Sequence, residues 1–108
     1  MVRTDIYKGL SEILSAYIVE LRKHYKVDYI VLFGSFANGT QHEDSDIDVA
    51  VISNDVNDSF YDRIQMMELR RKLDIRIEPH PINTTEYVTD ANPFIKDIKN
   101  SGIQLFAA

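Results

Sequence analysis

The chain contains no cysteine and no tryptophan, only four glycines and three prolines, and no apolar run of membrane-spanning length. Without cysteine there is no disulfide framework and no thiolate metal site, which makes a cytoplasmic location the default expectation. A bilayer-spanning helix needs roughly 20 consecutive apolar residues, so no membrane role is expected. The first residues, MVRTDIYKGL, lack the apolar core and small-residue cleavage site of a secretory signal. Positive charge is also scarce: 12 Lys and Arg against 17 Asp and Glu give a formal net charge of −5. Non-specific nucleic-acid binding is built on clustered cations, so a long DNA or RNA substrate is disfavoured. The dense basic clusters, Arg22-Lys23 with His24 and Lys26, and Arg70-Arg71-Lys72, fall at expected helix ends, where positive charge complements the helix dipole. Two familiar motifs are absent as well. There is no GxxxxGK[ST] loop, and no lysine lies between Lys26 and Lys72. The run DSDID lacks the glycine and glutamate that a calcium-binding EF-hand loop places at its sixth and twelfth positions.

What is present is an ordinary globular composition, 44% apolar and 27% charged, which predicts one folded domain over 1–108. Residues 4–25 carry apolar side chains at Ile6, Leu10, Ile13, Leu14, Tyr17, Leu21 and Tyr25, a helical stripe with Thr4 as candidate N-cap. A β-rich run spans 27–33, and a polar loop follows over 34–45, too polar to be a buried element. A second strand is expected from Asp46 to Ile52. Ser59 and Asp62 have the spacing of a capping box and open a helix through Leu69. The alternation in LDIRIEPH predicts a third strand with Leu73, Ile75 and Ile77 on one face and Asp74, Arg76 and Glu78 on the other, ended by Pro79 and Pro81. A short helical turn over 83–88, a last helix from Pro93 to Asn100 and a terminal strand from Ile103 complete the order. The expected fold is α/β or α+β: a small mixed sheet backed by helices on one side.

The chemistry concentrates in VDYIVLFGSFANGTQHEDSDIDVAVIS. Alternation along a strand puts Asp46 and Asp48 on one face, where two carboxylates repel unless a cation lies between them. An oxygen-seeking cation such as Mg²⁺ takes one or two carboxylates and fills its shell with water and substrate phosphates. Gly34 at a strand end lets backbone approach phosphate closely, Ser35 adds a hydroxyl, and Gly39 keeps the loop tight. Asp74 on a neighbouring strand would complete a three-carboxylate clamp for one or two ions, with Mn²⁺ an alternative to Mg²⁺. Glu78, two steps along the same face, is the alternative third ligand.

GSFANG followed by DSDIDVAV resembles the signature of the DNA polymerase β-type nucleotidyltransferases, and the length is similar to their minimal, stand-alone, antitoxin-like members. The resemblance covers roughly residues 27–80. It implies that Gly34 and Ser35 bind the β- and γ-phosphates of an NTP. Asp46 and Asp48 would hold the catalytic metals, and Asp74 would hold the second metal and act on the acceptor hydroxyl. It further implies transfer of NMP from an NTP, foremost AMP from ATP, to a hydroxyl acceptor with release of pyrophosphate. Such stand-alone domains often pair with a small helical HEPN-domain partner and adenylylate it on a tyrosine. Many members have a basic residue where this chain has Asn38, so triphosphate binding leans on Arg76 or another cation.

Plainer readings stand beside these. Asp74 can be a surface residue paired with Lys or Arg, and Arg76 can be a salt-bridge partner rather than a phosphate ligand. His80, between two prolines, either contacts nucleotide or shapes a turn. His24 and His42 are expected to be exposed, and Tyr61, Met66 and Met67 to be helix-face residues. An NTP-binding module that masks a partner with little or no turnover is the alternative function. Homo-oligomerisation is left open by the sequence.

Overall fold

The structure, a computed structural model, describes residues 2–108, with side chains from residue 9 onward. Helix α1 runs Val2–His24 and strand β1 Val27–Phe33. They are followed by a one-turn helix α2 (Ser35–Asn38), β2 (Ile47–Ser53) and α3 (Ser59–Leu69). The chain continues through β3 (Ile77–Ile82), α4 (Thr84–Val88), α5 (Pro93–Ser101) and β4 (Ile103–Ala107). The four strands form one mixed sheet in the order β3-β2-β1-β4. β1 is antiparallel to β2 and β4, and β2 is parallel to β3. The expected fold class therefore holds.

The sheet has helices on both faces rather than one. Strand alternation splits its side chains between two cores. Ile30, Leu32, Ile47, Val49, Val51 and Ile77 pack with Leu10, Leu14, Tyr17, Leu21 and Met66 of α1 and α3. Val31, Ala50, Ile52 and Ile82 pack instead with Tyr87, Ile95 and Ile98 of α4 and α5. Central strand β2 is thus buried on both sides, with Ile47 and Val49 through Ile52 fully inaccessible. This explains its near-continuous apolar sequence. Tyr17 is fully buried yet satisfied, because its hydroxyl donates to the Met66 carbonyl at 2.7 Å and so ties α1 to α3. Burial pushes its phenol well above the usual range.

Several boundaries differ from expectation for identifiable reasons. Helix α1 starts ahead of Thr4, and the side chains of Thr4 and Ile6 lie outside the described residues. The loop after β1 is not wholly irregular: α2 occupies its start and buries Phe36 in the α1 core. The N-cap of α3 is Asp58, one residue before Ser59. Its carboxylate accepts from the Phe60 and Tyr61 N–H groups, while Asp62 reaches back to the N–H groups of Asn57 and Asp58. The expected Ser59–Asp62 box is thus replaced by a reciprocal cap in which the N-cap moves back to Asp58 while Asp62, now the fourth helical residue, keeps the reaching-back role.

The largest difference concerns the third strand. Residues 70–76 are wound into turns: the N–H groups of Leu73 and Asp74 donate to the Arg70 carbonyl at 2.9 and 3.1 Å, and that of Ile77 donates to Asp74 at 3.2 Å. The Arg70 guanidinium donates to the carbonyls of Ile75 and Ile77 and holds the winding in place. The extended strand begins only at Ile77 and runs through both prolines. It can do so because β3 is an edge. The Ile47 N–H donates to the Arg76 carbonyl at 2.8 Å, which turns even-numbered residues of β3 toward β2. Pro79 and Pro81 then aim their missing N–H outward, where the ladder needs no donor.

Candidate active site

The ends of β1, β2 and β3 meet at one edge of the face that carries α4 and α5. Phe33, the last residue of β1, pairs with Asp48, and Asp48 pairs with Glu78 across the parallel register. Alternation puts His80 on the same face as Glu78. The result is a compact group: one donor atom from each of Asp48, Glu78 and His80 lies within 4.8 Å of the other two, and all three residues are partly buried. The His80 Nε2 is 3.2 Å from Asp48 Oδ1. Arg63, from α3, donates to Glu78 Oε1 at 2.7 Å.

Gly34 closes the site from the β1 side. It caps α2 at φ 75°, ψ −152°, with its carbonyl accepting from Ala37 and Asn38 N–H at 3.1 and 3.0 Å. A Cβ at this position would lie 2.5 Å from Asp48 Oδ2. Glycine is thus required twice, for the positive φ and for the space the carboxylate occupies. Ser35 starts α2, whose first N–H groups have no intrahelical acceptors. Gly39 ends it in the left-handed region at φ 76°, and Asn38 is exposed. Asp46 stands exposed one residue ahead of β2.

Asp74 and Arg76 lie in the turn before β3, beside the start of β2, where the Arg76 carbonyl accepts from the Ile47 N–H. The Arg76 guanidinium grips the Asp74 carboxylate through Nε at 3.1 and 3.3 Å and Nη2 at 2.7 Å, and the Arg76 N–H adds a bond at 2.9 Å. These hydrogen bonds hold Asp74 below the usual carboxylate range and raise Arg76 in turn. Among the described residues, the carboxylate that joins Asp48 in a potential metal-binding group is Glu78, not Asp74.

Two features of the site escape a reading by residue type. The His80 ring forms a three-ring cluster with Phe33 and Phe94, at centroid distances of 4.9 and 5.9 Å, and those two rings meet each other at 5.4 Å. Beside it a cavity of about 470 Å³ is lined by Phe60, Arg63, His80, Asn92 and Phe94 among others. A hollow of about 550 Å³ near Glu20 and Arg71 lies away from the Asp48 cluster. The spacing Glu78-x-His80 was the available signal, but only if the strand was allowed to continue through the prolines.

The family profile described as "Polymerase beta, Nucleotidyltransferase" matches residues 16–108. The chain belongs to the polymerase β nucleotidyltransferase family. Within this nucleotidyltransferase family, a Methanocaldococcus jannaschii protein provisionally named a protein adenylyltransferase is 50% identical over 49 residues. That stretch is 45% of this chain and 57% of the relative, so the match spans little more than half of the relative's length. A solved toxin–antitoxin structure with AMP-PNP superposes with a TM-score of 0.65 at 30% identity, over 87% of this chain and 73% of the other. A second, tri-AMPylated Shewanella oneidensis HEPN toxin in complex with MNT antitoxin, superposes with a TM-score of 0.53 at 25% identity, over 84% and 66%. No helix among the described residues is long and apolar enough to cross a membrane.

Proposed function

We propose that the chain acts as a single-domain protein adenylyltransferase, moving AMP from ATP to a hydroxyl of a partner protein, with a tyrosine of a HEPN-type toxin as the favoured acceptor. The observation that carries this reading is the convergence of Gly34, Asp48 and Glu78 at three strand ends, where a glycine-bounded loop meets paired carboxylates. The solved relatives support the nucleotide and the partner, since one holds AMP-PNP and another an AMPylated HEPN toxin. ATP and acceptor would meet in the cytoplasm.

The carboxylates fit a divalent cation. Asp48 and Glu78 sit close enough to share one ion, and Asp46 adds an exposed carboxylate at the mouth of β2. When bound, a hard cation such as Mg²⁺ supplies charge neutralisation of the triphosphate and of the departing pyrophosphate. The remaining work falls to the protein. The loop from Gly34 would orient the β- and γ-phosphates, leaving the α-phosphorus facing the carboxylates. The acceptor oxygen then bonds to the α-phosphorus, the bond to the bridging oxygen breaks, pyrophosphate leaves, and the acceptor proton passes to a site carboxylate or water. Asp74, held by Arg76, is assigned to the turn rather than to this step.

The test is incubation with α-labelled ATP, divalent cation and, in parallel, a HEPN-domain protein and the product of whatever reading frame adjoins this one. Label should appear on one of these proteins and vanish with Asp48→Asn. A tight complex that never acquires label, under any metal, would leave only the masking function.

A further inference from the structure

We infer that His80 is itself a metal ligand, through Nε2, and that the site therefore takes a first-row transition cation such as Mn²⁺ in preference to Mg²⁺. This rests on the metal-dependent reading above and goes beyond its carboxylates. A six-coordinate ion with bonds of about 2.1–2.2 Å sets adjacent ligands about 3 Å apart and opposite ones a little over 4 Å apart. The His80 Nε2 to Asp48 Oδ1 separation of 3.2 Å matches the first spacing. The three donor atoms, all within 4.8 Å of one another, accommodate the second.

The placement of the imidazole is fixed by three independent parts of the fold. Parallel register sets Glu78 opposite Asp48, and strand alternation brings His80 to the same face. Pro79 and Pro81 restrict φ on either side of His80. Phe33 and Phe94, themselves in contact, pack against its ring. Arg63 engages Glu78 Oε1 at 2.7 Å, so Glu78 is drawn toward single-oxygen donation, and a neutral third ligand then completes the set without adding negative charge.

The donor chemistry bears on the ion. Mg²⁺ prefers an all-oxygen shell and gives up water reluctantly, whereas Mn²⁺, also at home with carboxylates, gives up water more readily and tolerates an imidazole nitrogen among oxygen donors. Two carboxylates and one imidazole thus shift preference away from Mg²⁺ while leaving coordination positions for water and phosphate.

The experiment uses the whole chain and Mn²⁺ alone, without nucleotide. Titration followed by electron paramagnetic resonance should give saturable Mn²⁺ binding about tenfold tighter than Mg²⁺ by competition. Pulsed spectra should show ¹⁴N coupling that is replaced by a ¹⁵N signature when histidine is ¹⁵N-labelled and is lost in His80→Gln. Asp48→Asn should weaken Mn²⁺ binding, and His80→Gln should bring the Mn²⁺ to Mg²⁺ ratio toward unity. Saturable Mn²⁺ with no histidine nitrogen coupling in the unaltered protein overturns the assignment of His80 and leaves the carboxylate site standing. Absence of any saturable divalent binding overturns both. Because the decisive spectrum comes from the unaltered protein, a His80 variant that folds poorly does not blunt the test.

Discussion

Gly34 and Asp48 share one volume: the carboxylate of Asp48 stands where a side chain on Gly34 would begin, 2.5 Å from the ideal Cβ position. Gly34 also holds φ 75°, which a side-chain-bearing residue adopts at a cost of about 1–3 kcal/mol. Gly34→Ala should therefore lower the melting temperature by about 4–24 °C, given about 4–8 °C per kcal/mol for a domain of this size. It should also displace Asp48 and cut transfer by about a hundredfold, as ångström-scale misplacement does. Thermal melts and a transfer assay read the two effects separately. A variant with unchanged melting and full activity would show that Asp48 need not occupy that volume.

Glu78 and Asp74 make opposite predictions. Glu78→Gln removes a carboxylate from the Asp48 group and should reduce transfer by several orders of magnitude. The fold should survive, since the lost Arg63 ion pair is partly exposed and such pairs contribute about 0–1 kcal/mol. Asp74→Asn should retain most transfer activity. Steady-state kinetics on both variants decide the matter, and a dead Asp74→Asn beside an active Glu78→Gln would reverse the assignment.

The Asp74–Arg76 grip has a pH signature. Hydrogen bonds from Arg76 depress the Asp74 carboxyl, so the folded protein binds this proton less readily than the unfolded chain. Its stabilisation is present above the unfolded carboxylate value of about 3.9 and is lost as pH falls through the lower folded value. With Arg76 43% exposed, solvent screening limits the contribution to about 1 kcal/mol or less. The stability gap between the unaltered protein and Asp74→Asn, measured by denaturant melts, should be flat above about pH 5 and close below about pH 4. A gap that widens in acid would contradict the pairing.

Much of this fold was legible because local pattern and final burial agree. The apolar run of β2 is buried on both faces, Asn83 caps α4, and Pro93 opens α5. The third strand was not, because LDIRIEPH alternates equally well from Leu73 or from Ile77. What decides between them is non-adjacent: the Arg70 guanidinium on the carbonyls of Ile75 and Ile77, and an edge position that tolerates two prolines. That one shift carries the site with it. It moves Asp74 into a turn with Arg76, brings Glu78 opposite Asp48, and admits His80 to the face that the prolines had seemed to end. Phe33 and Phe94 are invisible as partners of His80 for the same reason, since their meeting depends on α5 crossing the second face of the sheet.

Asn38 offers the remaining test, on the phosphate side. It is exposed at the last position of α2, four residues after Gly34, and it contributes hydrogen-bonding capacity without charge. Asn38→Arg would add a planar cation able to hold a phosphate bidentately. An exposed helix-end substitution of this kind should change stability by less than about 0.5 kcal/mol, so its effect should fall on nucleotide binding. KM for ATP should drop about threefold to tenfold with little change in kcat, because a charge on the outer phosphates assists ground state and transition state alike. The gain should shrink as salt rises from 50 to about 300 mM, since the new charge is solvent-exposed and screened. An ATP KM that does not move at low salt would place the triphosphate away from α2, and with it remove the role assigned to the Gly34-Ser35 loop.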